Sequence, residues 1–189
     1  MRFKSMFVAG AVAAMTFVAS AQSMQSMQSN VMVGGEAMLP SKNIIDNAVK
    51  SKDHTTLVAA VKAAGLVETL QGAGPFTVFA PTNAAFAKLP AGTVESLVKP
   101  ENKATLTKIL TYHVVAGRWD AASLMKKIQD AKGTAELKTV SGGTLWATMN
   151  GAHNVVLKDE KGGTTEISTY DVFQSNGVIH VVTSVLMPK

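Results

Sequence analysis

A change of hydrophobic period within residues 74–90 constrains the fold of this chain more than any other sequence feature. Residues 76–79 are all aromatic or β-branched, which is typical of a half-buried strand. Thr82 or Asn83 can then cap the first free N–H groups of a helix that ends at Pro90. The segment predicts a strand that leads directly into a helix. Capping alone accounts for the two polar residues at the junction, so the pattern requires no chemical role for them.

Apolar residues at helical spacing dominate the chain between residues 41 and 131. Ser41 and Asp53 are placed to begin the first two predicted helices, and Gly65 is placed to end the second. Further helices are predicted after the segment described above, and Asp120 is placed to cap the last of them. The first two thirds of the chain are therefore expected to be mainly helical.

The pattern changes from residue 136 onward, where glycine-containing turns separate short segments of alternating polarity. They predict an antiparallel meander followed by a last strand over residues 178–182. A further short strand is predicted over residues 112–115, which include Tyr112 and His113. Helices early in the chain and strands late in the chain predict the α+β class with mainly antiparallel pairing.

Residues 1–21 have the pattern of a secretory signal peptide. Arg2 and Lys4 precede thirteen uncharged, largely apolar residues, and the small residues ASA at 19–21 form a cleavage site. The apolar run is shorter than the roughly 20 residues that a membrane-spanning helix needs. We therefore predict a secreted or periplasmic protein that is not stably inserted in a membrane after signal cleavage.

Residues 22–40 are rich in Met, Ser and Gln, which predicts a flexible leader ahead of a domain at residues 41–189. Four methionines occur in the leader: Met24, Met27, Met32 and Met38. Thioethers are soft ligands that suit Cu(I), so weak copper binding by the leader is one interpretation. A chance duplication of Ser-Met-Gln explains the first pair without any metal.

The charge and the cysteine content exclude several classes of protein. No cysteine occurs in the chain, so there is no disulfide framework, no thiol nucleophile and no lipid attached to cysteine. Residues 1–21 hold two of the 18 basic residues and none of the 13 acidic ones, which leaves a formal charge of +3. The lysines are scattered, without the clustered basic face of a phosphate-binding surface, so we predict no nucleic-acid partner.

Short catalytic motifs are absent from the sequence. It has no G-x-S-x-G elbow, no H-E-x-x-H helix and no glycine-rich phosphate loop. The four histidines, none at close ligand spacing to another, are His54, His113, His153 and His180. We predict that the protein is not an enzyme and that its folded domain holds no metal and no cofactor. His113 and His180 lie among valines, where a histidine is usually a buried, hydrogen-bonded group.

Three motifs in order carry a resemblance to the fasciclin domain family. They are TVFAPTNAAF at residues 77–86, LTYHVV at residues 110–115 and NGVIHVV at residues 176–182. In this order and spacing the chain resembles a single-domain bacterial fasciclin-like protein from about residue 42 to residue 189. The resemblance implies two mainly antiparallel sheets in a wedge with a layer of short helices.

The resemblance also implies four candidate binding residues. In animal members of the family the tyrosine–histidine segment is implicated in receptor binding, and the matching residues here are Tyr112 and His113. A second receptor motif of those proteins, an Asp-Ile pair before the last strand, matches Asp171 and Val172, with valine in place of isoleucine. Alternation along a strand predicts that Tyr112 and His113 lie on opposite faces, with the Tyr112 ring partly buried.

The function implied by the resemblance is that of a non-enzymatic binding module for cell adhesion or for contact with a cell surface or extracellular matrix. Its partner would be a cell-surface or matrix protein or glycan. The alternative is a periplasmic protein that binds a small ligand, or copper through the Met-rich leader.

Overall fold

The computed structural model describes residues 30–189, so the predicted signal peptide and two of the four leader methionines, Met24 and Met27, lie outside the described residues. The helices are α1 (Ile44–Ala48), α2 (Thr55–Ala64), α3 (Val67–Gln71), α4 (Asn83–Ala87), α5 (Thr93–Leu97), α6 (Lys103–Tyr112) and α7 (Ala121–Asp130). The strands are β1 (Met32–Val33), β2 (Glu36–Ala37), β3 (Phe76–Pro81), β4 (Val114–Ala116), β5 (Thr134–Lys138), β6 (Thr144–Asn150), β7 (Asn154–Lys158), β8 (Thr164–Gln174) and β9 (Gly177–Val182).

Seven strands form one hydrogen-bonded array in the order β4-β3-β9-β8-β7-β6-β5. Neighbours pair antiparallel except β3 and β9, which pair in parallel with Phe79 opposite His180. The long strand β8 pairs with β7 at one end and with β9 at the other. Irregular register between Ile167 and Val172 falls between these two pairings, and bulges of this kind bend a strand. The fold is α+β with mainly antiparallel pairing, as predicted, and its two halves are compatible with two sheets in a wedge.

The two outer strands of the array meet at one end. Val115 of β4 forms an antiparallel bridge with Thr139, which directly follows β5. The backbone N–H of Val140 donates to the carbonyl of Val114 at 2.8 Å. The wedge is therefore held together at this end as well as through β8.

Local capping sets several helix ends as the sequence predicts. Thr82 accepts a hydrogen bond from the N–H of Ala85 and begins α4, and Asp120 accepts from the N–H of Ser123 and begins α7. Gly65 ends α2 in the left-handed conformation with φ +74°. α1 differs, because Asn43 rather than Ser41 caps it, by accepting from the N–H of Asp46.

Two apolar cores lie on opposite faces of β3. The first lies under the helices of the N-terminal half and includes Ile44, Leu57, Val78, Leu110 and Ile179. The second lies between the sheet halves and α7 and includes Phe79, Leu124, Leu145, Leu157 and Val182. Consecutive residues of β3 point to opposite faces, so Val78 enters one core and Phe79 the other.

The second half of the predicted leader is part of the fold. β1 and β2 form a hairpin, after which the N–H of Met38 donates to the carbonyl of Val31 at 3.0 Å. Met38 is 3% exposed and packs in the first core, whereas Met32 is 60% exposed. Residues 30–40 therefore belong to the structured domain rather than to a flexible leader, because Met38 buries its side chain on folding.

Tyr112 and His113 lie at the end of a helix and not on a strand as predicted. Tyr112 is the last residue of α6, and His113 is its C-terminal cap. The His113 ring bonds to the carbonyl of Ile109, which is one of the carbonyls left free at a helix end. The strand begins only at Val114. Of the helices within residues 30–189, none has the length and apolar character needed to cross a membrane.

Candidate functional site

Tyr112 is a fully buried connector between α6 and the sheet. Its side chain is 0% exposed, its hydroxyl donates to the carbonyl of Thr144 at 2.7 Å, and the same oxygen accepts from the N–H of Glu160 at 3.1 Å. Burial raises the pKa of Tyr112 to about 12, since a phenolate would be poorly solvated there, and nearby carboxylates also raise it while the Glu160 N–H lowers it. The Tyr112 hydroxyl therefore stays protonated and keeps both hydrogen bonds at any ordinary pH.

His113 joins the end of α6 to the C-terminal segment. The ring is 2% exposed, with Nδ1 at 2.9 Å from the carbonyl of Ile109 and Nε2 at 2.9 Å from the N–H of Leu186. The Leu186 N–H must donate, so Nε2 is the acceptor and Nδ1 carries the proton. Burial lowers the pKa of His113 to about 4, with the Ile109 carbonyl and the Asp159 charge acting in the opposite direction. Both ring nitrogens of this neutral imidazole are occupied.

His180 is a buried residue of β9. It is 0% exposed and stacks on Phe79 with ring centroids 5.8 Å apart. Its Nε2 lies 2.7 Å from the carbonyl of Trp119, and its Nδ1 accepts a long bond of 3.4 Å from the N–H of Asp171. Burial is the main cause that lowers the pKa of His180. This ring therefore holds the loop before α7 against β8 and β9.

Asp171 and Val172 have different surroundings. Val172 is 1% exposed and packs in the first core. Asp171 is partly exposed and adopts φ +55°, a left-handed conformation that Asp tolerates better than most residues. Its Oδ1 accepts from the N–H of Ala121 at 2.7 Å, so the carboxylate lies at the N-terminus of α7 beside the capping Asp120.

The structure does not bring the four predicted binding residues into one surface. Tyr112 belongs to the second core and Val172 to the first, while the ring of His113 faces the first core's interior. The prediction that Tyr112 and His113 point in opposite directions therefore holds, although the chain is helical there. Of the four, Asp171 alone keeps part of its side chain at the surface.

Two cation–aromatic pairs join the loop before α7 to β8 and to α7. The Arg118 guanidinium lies 5.6 Å from the centroid of the Phe173 ring and donates to the carbonyls of Gln174 and Gly177 at 2.6 and 3.1 Å. The Lys127 ammonium lies 5.1 Å from the centroid of the Trp119 ring. Such pairs hold large side chains in place at a surface.

We name the partly or fully exposed residues Arg118, Trp119, Asp171 and Phe173 the Asp171 surface. Sequence reasoning missed all of them except Asp171. The adjacent Arg118 and Trp119, directly after the turn at Gly117, are the signal that could have indicated a recognition surface.

Metal ligation finds little support in the part of the chain that the structure describes. No group of three His, Cys, Asp or Glu side chains within residues 30–189 is placed to hold a metal ion. The Cu(I) interpretation rests on four methionines, of which the pair with chelating spacing, Met24 and Met27, lies outside the described residues. Met38 packs in the first core, so its thioether is not available to a metal in this fold.

Comparison with known proteins gives a consistent family relationship. A family model described as the fasciclin domain matches residues 52–188. Protein sll1483 of Synechocystis sp. is 46% identical over 165 residues, covering 87% of this chain and 84% of that protein. Cell surface glycolipoprotein MPB83 of Mycobacterium bovis is 39% identical over 123 residues, covering 65% of this chain and 48% of that protein.

The fold also resembles a solved structure. A FAS1 domain pair from the insect cell adhesion molecule fasciclin I superposes with a TM-score of 0.68 at 19% sequence identity. The match covers 77% of this chain and 51% of that chain. At this level of identity the likeness concerns the fold alone.

Proposed function

Because this chain belongs to the fasciclin domain family, we propose that it is a secreted or periplasmic binding module without catalytic activity that mediates cell adhesion or contact with a cell surface or matrix. The observation that carries the proposal is the position of Asp171, which is partly exposed and accepts from the N–H of Ala121, shortly after Arg118 and Trp119 in the chain. The partner is a cell-surface or matrix protein or glycan.

The chemistry of the Asp171 surface suits recognition of a macromolecule. Interfaces concentrate binding energy in Trp, Tyr and Arg side chains that are held rigid and surrounded by weaker contacts. Arg118 is fixed by two carbonyls, and Trp119 is fixed by a hydrogen bond from its indole N–H to the carbonyl of Ala116 at 3.1 Å. These side chains lose little freedom on binding, which lowers the entropic cost of association.

The bonding of His113 and His180 favours a structural role over catalysis for these two residues. A general base needs a free ring nitrogen within reach of a substrate. His113 and His180 bond through both nitrogens to backbone groups inside the fold. They support the surface without taking part in chemistry.

Export is the second element of the proposal. The signal pattern at residues 1–21 is consistent with relatives such as the cell surface glycolipoprotein MPB83. We expect a mature chain that begins at Gln22 and is recovered from the periplasm or the medium. N-terminal sequencing of the exported protein tests this, and a membrane-bound product that retains Met1 would contradict it.

The experiment for the binding role uses the mature full chain immobilised on beads and presented to envelope and matrix fractions, with purified glycans as a separate arm. Asp171→Asn removes the charge but keeps an oxygen that can accept from the Ala121 N–H, and Asn tolerates the left-handed backbone. We expect at least a tenfold loss of capture. Asp130→Asn, at the exposed opposite end of α7, is the matched control and should capture like wild type.

A loss of capture that is equal in Asp171→Asn and Asp130→Asn would mean that net charge, and not this surface, attracts the partner. Equal capture by wild type and Asp171→Asn would overturn the assignment of the surface. Capture of nothing from any fraction would overturn the adhesive function itself.

A further inference from the structure

A groove of about 580 Å³ lies on the solvent face of the sheet half formed by β5, β6 and β7. Its volume falls within the roughly 300–1,000 Å³ of sites that hold small organic ligands. No residue of the Asp171 surface lines it. We name it the Trp146 groove, and its lining residues are Thr134, Trp146, Thr148, Lys158, Asp159, Glu160, Lys161 and Gly162.

Strand alternation places Trp146 in the floor of this groove. Leu145 and Ala147 are fully buried in the second core, so the side chain of Trp146 between them points to the opposite face of β6. Trp146 is partly exposed, and its cross-strand neighbours are Glu136 on β5 and Lys158 on β7. A large aromatic side chain thus lies between an acidic and a basic residue on a solvated sheet face.

The turn between β7 and β8 forms one wall of the groove and is held by hydrogen bonds. Each carboxylate oxygen of Glu160 accepts from a backbone N–H, at 3.0 and 3.1 Å, and the first of these bonds ties the turn to the start of β6. Asp159 is 3% exposed and accepts three backbone N–H bonds, two of them within its own turn. Both acidic side chains of the wall are therefore occupied, and the wall is in place before any ligand arrives.

The indole of Trp146 is accessible to a ligand. In the part of the chain that the structure describes, its N–H is not among the buried groups without a partner, and it donates to no protein acceptor. The N–H therefore contacts solvent. Thr134 and Thr148 line the same groove and carry hydroxyls that can both donate and accept.

Two lysines on the β7 side of the groove are not neutralised by a carboxylate. Lys158 ends β7, Lys161 lies in the turn that follows, and both are exposed. Within residues 30–189 the only ion pair joins Lys126 and Asp130 on α7. A ligand that carries a negative charge on this side would complement both lysines.

A sugar acid matches the aromatic floor, the hydroxyls and the lysines together. The C–H groups of a sugar ring pack on the face of an indole, whose π electrons attract weakly positive hydrogens. Sugar hydroxyls can exchange hydrogen bonds with the threonine hydroxyls and the indole N–H. An acidic peptide would pair with the lysines but has no ring of C–H and hydroxyl groups to match the rest of the groove. Glu136 on the β5 side directs the carboxylate of the sugar towards β7.

We propose that the Trp146 groove binds an acidic glycan, with one sugar ring packed on Trp146 and its carboxylate beside Lys158 and Lys161. The inference goes beyond the proposed adhesive function and does not rest on it, because the groove and the Asp171 surface share no residue. Each site can therefore fail its own test without affecting the other.

Digalacturonic acid and its dimethyl ester are the matched probes, since they have the same rings and only the acid is charged. The chain has two tryptophans, so two indole N–H signals in a ¹H–¹⁵N spectrum report on the groove and on the Asp171 surface separately, and Trp146→Phe assigns them. At low salt, the acid should shift the Trp146 signal in a saturable way and leave the Trp119 signal in place. We expect the ester to bind about tenfold more weakly, because each exposed ion pair contributes only a few-fold.

Variants separate the ring contact from the charge contact. Trp146→Thr removes the indole but keeps a residue that favours strands, and calorimetry should show at least a tenfold loss of binding for both probes. Lys158→Gln combined with Lys161→Gln should abolish the preference for the acid over the ester. Lys62→Gln combined with Lys103→Gln, at exposed positions of α2 and α6, removes the same charge and should keep that preference.

The proposal is overturned if the acid leaves the Trp146 signal in place, if the ester binds as tightly as the acid, or if folded Trp146→Thr binds like wild type. A loss of preference that is equal in the two double variants would show that net charge alone attracts the acid. Should Trp146→Thr fail to fold, the titration of the Trp146 signal in the wild-type chain decides. The dipeptide of two glutamates distinguishes an acidic peptide from a glycan. It should bind at least tenfold more weakly than the sugar acid, and equal binding would rule the glycan out.

Discussion

The Nε2 atom of His113 accepts a hydrogen bond from the backbone N–H of Leu186 at 2.9 Å, across 73 residues of sequence. Because Nδ1 of the same ring bonds to the carbonyl of Ile109, one imidazole connects the end of α6 to the C-terminal segment. His113 and its neighbour Tyr112, which resemble the binding segment of animal relatives, thus serve here as internal connectors. We propose that the Asp171 surface serves recognition instead.

Tyr112→Ala should lower the free energy of unfolding by about 3–5 kcal/mol, because it removes a fully buried ring and leaves a cavity. Tyr112→Phe keeps the ring but leaves the Thr144 carbonyl and the Glu160 N–H without their partner, which costs about 1–3 kcal/mol. Urea denaturation measures both. The neighbouring Thr111→Ala is the control, since Thr111 bonds only within its own helix, and it should cost less than 1 kcal/mol. A Tyr112→Ala variant as stable as wild type would refute the internal role.

Stability should fall as the pH is lowered from 6.5 towards 4. The pKa of His113 is about 4 in the folded protein and 6.5 ordinarily, so within this window the unfolded chain binds a proton that the folded protein does not. The stabilisation that comes from the neutral, buried His113 ring is fully present above pH 6.5. On acidification it is lost by about 1.4 kcal/mol per pH unit. Burial lowers the pKa of His54 and His180 too, so both act in the same direction.

The pH dependence is assigned to His113 by substitution. His113→Gln should reduce the slope of stability against pH between 4.5 and 6, while His153→Gln, on an exposed turn, should leave it unchanged. Thermal melts at closely spaced pH values provide the slopes. Equal slopes for wild type and His113→Gln would show that the folded protein can protonate this ring at little cost.

The two described methionines of the N-terminal hairpin should behave differently. Met38→Ala should destabilise the protein by about 2–4 kcal/mol, because its 3% exposed side chain packs in the first core. Met32→Ala is the matched control on the same hairpin, and at 60% exposure it should change stability by less than about 0.5 kcal/mol. If both variants have the melting temperature of wild type, the hairpin is not an integral part of the fold.

Gly177 should not tolerate a side chain. A Cβ at this position would overlap the carbonyl oxygen of Phe76, where β9 begins its parallel pairing with β3. We expect Gly177→Ala to lower stability by about 3 kcal/mol or more, since backbone on both sides must move. Gly142→Ala has open space around its Cβ and only the cost of a left-handed backbone, about 1 kcal/mol. Similar melting temperatures for the two variants would contradict the close approach of β3 and β9.

Local signals predicted the parts of this fold that depend on neighbours in sequence. The caps at Thr82 and Asp120 and the terminator Gly65 were correct, because each acts within one helical turn. Tyr112 was assigned to a strand because two valines follow His113. The helix continues to Tyr112, and the His113 ring bonds back to the carbonyl of Ile109. Helix and strand propensities do not include such a side-chain contact.

Contacts between distant segments could not be predicted in the same way. The parallel pairing of β3 with β9 joins Phe79 to His180 across about half the chain. Burial of Met38 depends on its place in the first core beside distant residues such as Val172, so composition alone suggested a flexible leader. The Asp171 surface arises where the loop before α7 meets β8 and β9, and only tertiary structure brings Arg118 to Phe173.

The central claim is that the tyrosine–histidine segment supports the fold while the Asp171 surface binds the partner. Its most direct test measures capture of the partner and the folded fraction on the same samples of Tyr112→Ala, His113→Ala and Asp171→Asn. We expect the first two variants to melt at lower temperature and to lose capture only in proportion to unfolding, and Asp171→Asn to melt like wild type with at least a tenfold loss. If Tyr112→Ala and His113→Ala instead melt like wild type yet abolish capture, the segment is itself the recognition site and the claim is wrong.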